Sequence, residues 1–195
     1  MTTIVSGLFD SRADATNALR DLQALGVPRD DISLVASNAD NDVDASDVGS
    51  DAGAGAGLGA AFGGLGGLLA GLGIVAIPGV GPVVAAGWLI ATAAGAAAGA
   101  VVGGAAGGIV GALTDSGVPE RDANVYAEGV RRGGTLVTAR VSDDKVELAR
   151  GVLQDARAVD LERRRADYEG AGWTRFDPDA PLPRRDRVGL NNDLV

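Results

Sequence analysis

The chain has no cysteine and no histidine, and only 4% of its residues are aromatic. Without cysteine there is no disulfide framework, thiolate nucleophile, iron–sulfur cluster or thiolate-bound zinc; without histidine the commonest general base and metal ligand are missing. Lysine is nearly absent too, with Lys145 alone among arginines. A net charge of −9 offers no basic face for neutralising phosphates, so nucleic acid is not an expected partner. These absences point away from an enzyme and leave no catalytic residue, cofactor or metal to assign. The opening Met1-Thr2-Thr3 has no basic and apolar leader region, which predicts residence on the cytoplasmic side.

The charges that are present avoid the middle of the chain. Residues 1–51 carry ten acids and three bases, 115–195 carry sixteen acids and fourteen bases, and the 63 residues of 52–114 carry none. That block holds 20 glycines and 19 alanines. It divides an otherwise ordinary α+β pattern in two.

Before the block, Thr3-Ile4-Val5-Ser6-Gly7-Leu8-Phe9 reads as a strand, Asp10-Ser11 as a helix start, and Ala15, Ala18, Leu19, Leu22 and Leu25 as one helix face stopped by Gly26 and Pro28. Ile32-Ser33-Leu34-Val35-Ala36 is a second strand. After the block, Val118-Pro119-Glu120 opens a helix with Ala123, Tyr126, Ala127 and Val130 on one face. Thr135 to Val141 is a strand, Ser142-Asp143-Asp144 a cap, and Val146, Ala149, Val152, Leu153 and Ala156 a further helix leading to a short strand at Val159–Leu161. Thr3-Ile4-Val5-Ser6 matches Thr135-Leu136-Val137-Thr138, and the helices after them share a pattern. Two similar halves predict a ferredoxin-like βαβ–αβαβ sandwich interrupted by the uncharged block.

Inside the block, 53–77 and 83–114 read as two helical arms, with Ile77-Pro78-Gly79-Val80-Gly81-Pro82 as the turn. Arms of roughly 37 and 48 Å exceed a hydrocarbon core of about 30 Å. Small residues recur every fourth position: Gly55, Gly59, Gly63, Gly67 and Gly71, then Gly87, Ala91, Gly95, Gly99, Gly103, Gly107 and Gly111. Such a register lets helix backbones approach closely, as in lipid. It predicts a self-associating transmembrane hairpin in the inner membrane, with lipid and further copies of the chain as partners and both termini cytoplasmic. A cytoplasmic assembly of zipper helices, or flexible low-complexity sequence, remains the alternative.

Three features have a plain reading and a sharper one. The stretch 38–52 is an acidic linker, or a calcium loop at Asp40, Asp42 and Asp44 that lacks the usual glycine and closing glutamate. Arg131-Arg132-Gly133-Gly134 is a helix end, or an anion-binding corner. Residues 162–195 are an extended polar tail, or a segment that docks through Trp173 and Phe176.

The motif Val5-Ser6-Gly7-Leu8-Phe9-Asp10-Ser11-Arg12, with Leu25-Gly26-Val27-Pro28 and Asp31-Ile32-Ser33-Leu34-Val35, resembles the N-terminal motif of bacterial general stress proteins of YflT type. Ile77-Pro78-Gly79-Val80-Gly81-Pro82, Gly117-Val118-Pro119-Glu120, Tyr126, Glu128-Gly129-Val130 and Arg132-Gly133-Gly134-Thr135-Leu136-Val137 resemble their larger, low-temperature-induced relatives. The resemblance covers about residues 4–161. It implies a stress association and a membrane location, with no catalytic residues to carry over. The expected organisation is therefore a first domain half at 1–37, a linker at 38–52, the hairpin at 53–114, the second half at 115–161 and a tail at 162–195. Two further roles stay open: a scaffold or shell component, and a module that senses a small ligand or partner.

Overall fold

The computed structural model describes residues 2–37, 73–77, 80–89 and 108–180. The alternating run at the start forms strand β1 (Thr2–Phe9), which turns Val5 and Phe9 to one side of a sheet and Leu8 to the other. Ser11 then caps helix α1 (Arg12–Ala24): its hydroxyl accepts from the N–H groups of Ala13 at 3.2 Å and Asp14 at 3.4 Å. Two donors that a helix start leaves open are thereby satisfied. Ala15, Ala18, Leu19 and Leu22 form the expected buried stripe, and the chain returns as β2 (Ile32–Ser37).

β2 does not pair with β1. Strand β5 (Thr135–Ser142) lies between them, antiparallel to both, with Thr138 opposite Ser6 on one side and Ser33 on the other. Helices α1 and α4 (Val146–Asp155) cover the face carrying Val5, Phe9, Ile32, Leu34, Val137 and Ala139. On the opposite face α2 (Ile109–Asp115) and α3 (Glu120–Arg131) pack over Leu8, Val35 and Leu136. Ala123, Tyr126, Ala127 and Val130 are the buried positions of α3, as the spacing predicts. The fold is thus mixed α+β about an antiparallel sheet.

The charge-free block corrects the helical hairpin. Residues Gly73–Ile77 and Gly81–Ala86 are strands β3 and β4, and they extend the three strands to five in the order β1-β5-β2-β4-β3. The turn falls where the proline and glycine predict, but it joins strands. Ile74, Val75, Ile77, Val83 and Val84 are β-branched and suit a pleated surface, and β2 supplies a free edge for β4 to pair with. Among the described residues no helix is long and apolar enough to cross a membrane. The expected transmembrane hairpin, inner-membrane location and lipid partner lose their basis with it. The acidic stretch 38–52, with its calcium-loop reading, and most of both arms lie outside the described residues.

The far end of the domain holds two more corrections. The strand expected at Val159–Leu161 is reduced to one backbone bond, the Val159 N–H donating to the Leu8 carbonyl at 2.7 Å. Helix α5 (Leu161–Gly170) begins immediately afterwards, because the Asp160 carboxylate accepts from the Arg163 N–H at 3.0 Å and caps a new helix start. Residues 162–170 are therefore helical where an extended tail was expected.

Candidate functional site

The most concentrated chemistry lies between α3 and α5. Glu128 points inward from α3 and is fully buried. Its neighbours three and four residues on are Arg131 and Arg132, which that spacing places on the same side of the helix. Arg132 Nε donates to Glu128 Oε1 at 2.6 Å. Arg131 Nη2 donates to the same oxygen at 2.9 Å and lies 2.7 Å from Oε2, where alignment is too poor for a hydrogen bond. One buried carboxylate thus holds two guanidiniums, which is how a charge survives in the interior.

Aromatic rings close the cluster from above. Arg132 sits 4.3 Å from the centroid of the Tyr168 ring, and Arg131 lies 5.7 Å from that of Phe176. Both are cation–π distances. Trp173 meets Tyr168 edge to face at 5.7 Å, and the Phe176 N–H donates to Asn124 Oδ1 at 3.1 Å. The docked alternative for Trp173 and Phe176 is therefore the arrangement found.

Further pairs fasten α5 to the domain. Arg165, almost fully buried, donates to Asp122 at 2.6 Å and Glu162 at 2.9 Å, and Arg121 reaches Glu162 at 2.8 Å. Arg164 grips both oxygens of Asp10 at 2.9 and 2.7 Å, the two-pronged geometry that suits a guanidinium to a carboxylate. That grip raises the Arg164 pKa above its ordinary value against the opposing effect of burial, so the side chain stays charged. Tyr126, on the inner side of α3, donates its hydroxyl to the Ser6 carbonyl at 3.1 Å; burial and then the Asp122 charge push its pKa up to about 12.

The geometry decides the Arg131–Arg132 corner in favour of a helix end. Gly133 takes the left-handed conformation that stops α3, and both guanidiniums turn to Glu128 and the rings. Of the twelve small-residue register positions, the structure describes Gly87 and Gly111. Gly111 is in α2. Gly87 ends β4 with φ +96°, and a Cβ there would strike the Ile32 carbonyl and lie 2.7 Å from Ser33 Cα. It allows close approach, but of a turn to β2 instead of one helix to another. Gly55, Gly59, Gly63, Gly67, Gly71, Ala91, Gly95, Gly99, Gly103 and Gly107 lie outside the described residues.

Sequence reasoning met Glu128 only as part of the Glu128-Gly129-Val130 resemblance, with no role assigned to it, and did not find α5. The signal for Glu128 is its spacing from two arginines; for α5 it is Asp160 as a cap, then Leu161, Arg165 and Tyr168 along one helix face. Comparisons with protein families, with characterised proteins and with solved structures find no match to the chain.

Proposed function

We propose that the chain is a non-enzymatic general stress-response protein that acts by associating with copies of itself. The observation that carries this reading is the outer edge of β1. The carbonyls of Ser6 and Leu8 point outward, to Tyr126 and Val159. Strand alternation then turns the backbone groups of Thr2 and Ile4 the same way, and among the described residues nothing bonds them there. Thr2 to Ser6 has no charge, proline or bulge, the usual protections of an edge strand. Two copies paired antiparallel about Thr3 would set Thr2 opposite Ile4, clear of the Ser6 carbonyl that Tyr126 holds, with no like charges facing.

A ferredoxin-like ancestry of the domain is supported by the β1-α1-β2 unit with β5 between its strands, by α1 and α4 sharing a face, and by Val159 beside β1 where a fourth strand would lie. The β3–β4 hairpin and the helices on the second face are additions to that plan. The stress assignment rests on the motif resemblance. The non-enzymatic reading is supported by Asp10, Asp122 and Glu128 being engaged by arginines. The small-residue register outside the described residues offers a second place for copies to pack.

Sedimentation of the full chain tests this. Ile4→Pro removes an outward N–H that the sheet itself does not use, a position where proline is tolerated. It should weaken self-association at least tenfold with an unchanged circular dichroism spectrum. A wild-type chain that is monomeric at every concentration would sink the proposal. Dissociation by Gly99→Leu with Gly103→Leu, and not by Ile4→Pro, would move the contact to the register.

A further inference from the structure

The outer edge of β1 is open at one end and shut at the other. At Thr2 and Ile4 nothing among the described residues bonds the outward backbone groups. At Leu8 the carbonyl takes the Val159 N–H at 2.7 Å, and the next residue, Asp160, caps α5. The same helix is tied back to the strand it covers. Arg164 grips both oxygens of Asp10, the residue that follows β1.

The hold on α5 is mostly charge. Of its residues only Arg165 and Tyr168 are buried, and Val159 and Leu161 pack against the second-face core while half-exposed. The Asp10 and Glu162 ends of its ion pairs are well exposed, so solvent screens what they contribute. Arg165 Nε and Trp173 Nε1 are buried with no hydrogen-bond partner, a cost that vanishes when α5 leaves and water reaches them. A helix held by charges, with donors left over at its contact, opens before the sheet does.

We infer that α5 is a releasable strap that limits how two copies join along β1, an inference that rests on the edge pairing proposed above. With α5 in place, Val159 occupies the edge at Leu8, and pairing about Thr3 uses Thr2 and Ile4 alone. When α5 swings away and takes Val159 with it, the Leu8 groups join the free edge. Two copies then pair about Val5, with Thr2 opposite Leu8 and Ile4 opposite Ser6, and the ladder doubles in length. The Ser6 carbonyl keeps Tyr126 on one lone pair and accepts the Ile4 N–H of the second copy on the other. Nothing from Thr2 to Leu8 is charged, so no like charges face in the longer register. Detachment therefore turns a short contact between copies into a long one.

The test is sedimentation of the full chain at constant ionic strength, with hydrogen exchange of the Val159 amide reporting on the strap. Arg164→Asp and Asp10→Arg each set like charges in the grip, and they shift the net charge in opposite directions. Both residues lie outside the two cores, so neither variant disturbs the sheet. Each should quicken Val159 exchange and tighten self-association, both at least tenfold. Combining them rebuilds the pair with its charges swapped and should restore wild-type behaviour. Ile4→Pro added to either single variant should abolish the gain. The strap is refuted if Val159 exchange quickens without tighter association, if exchange keeps its wild-type rate in both single variants, or if the swapped pair does not restore wild-type affinity. Association that Ile4→Pro weakens but the single variants leave unchanged defeats the strap and leaves the edge contact standing. Monomers at every concentration in every variant defeat the edge contact and the strap with it.

Discussion

Arg132 follows Glu128 by one turn of α3, and its Nε donates to the Glu128 carboxylate at 2.6 Å while its guanidinium covers the Tyr168 ring. The two partners are unequal, because Glu128 is fully buried and the Arg132 side chain is 36% exposed. Losing the carboxylate strands two guanidiniums, one of them deep; losing Arg132 leaves Glu128 still paired with Arg131. Glu128→Ala should therefore cost about 3–5 kcal/mol, the range for breaking a buried pair. Arg132→Ala should cost less than half of that. Urea unfolding of the two variants checks the ranking, and equal losses would contradict it.

Local structure was legible wherever one helix face or one strand carries its own pattern. Ser11, the α1 stripe and the α3 stripe all stand where spacing put them. Thr3–Ser6 and Thr135–Thr138 both fall on strands, β1 and β5, but the register sets Thr3–Ser6 against Thr138–Val141, so the two matching stretches meet only at Ser6 and Thr138. Two parts were misread for physical reasons. In 73–86 the four-residue register of small residues, which ends at Gly71 and resumes at Gly87, was extended from either side over a run of β-branched residues, although only the latter reports on the pleat that β2 needed. In α5 the inward positions include Arg165, which is buried only because Asp122 and Glu162 neutralise it. No apolar periodicity announces such a helix. Glu128 was hidden likewise: its pairing is local, but the rings over its two arginine partners come from α5 and the segment after it.

Tyr126 ties alkaline stability to one hydroxyl. Its pKa is about 12 in the fold against 10.0 ordinarily, and a raised folded value means that the neutral form is the one the fold favours. The contribution is complete below pH 10 and is lost as pH rises from there through about 12, because only the unfolded chain ionises freely in that window. Two pH units correspond to about 3 kcal/mol at full loss. Tyr126→Phe should be less stable by about 1 kcal/mol at pH 8, having lost the bond to the Ser6 carbonyl. Its stability should then fall less steeply between pH 10 and 11.5. Parallel slopes for the two proteins in denaturant titrations would contradict the assignment.

Two glycines with the same backbone conformation should respond differently to alanine. Gly87 and Gly117 have φ of +96° and +92°. A Cβ at Gly117 meets nothing within 4 Å, whereas at Gly87 it strikes the backbone of β2. Gly117→Ala should cost only the conformational strain, about 1–2 kcal/mol. Gly87→Ala adds a clash with Ile32 and Ser33 and should cost at least about 2 kcal/mol more. Circular dichroism melts of the pair separate strain from close approach, and similar melting points would show that β2 yields to the added methyl.

The segment after α5 is held by contacts that can be removed one at a time. Asn124→Ala takes away the acceptor for the Phe176 N–H, so exchange of that amide with solvent should quicken and stability should fall by about 1 kcal/mol. Phe176→Ala keeps the backbone bond but removes the ring beside Arg131, a cation–π contact of about 0.5–2 kcal/mol together with the burial of the ring. Its loss should exceed that of Asn124→Ala, and exchange should quicken across residues 173–177. The helix itself should stay protected in both variants, because Arg164 and Arg165 fasten α5 to Asp10 and Asp122 independently of the ring. If exchange in α5 rises along with that of Phe176, the helix and the segment after it open as one unit, and the ion pairs do not anchor the helix alone.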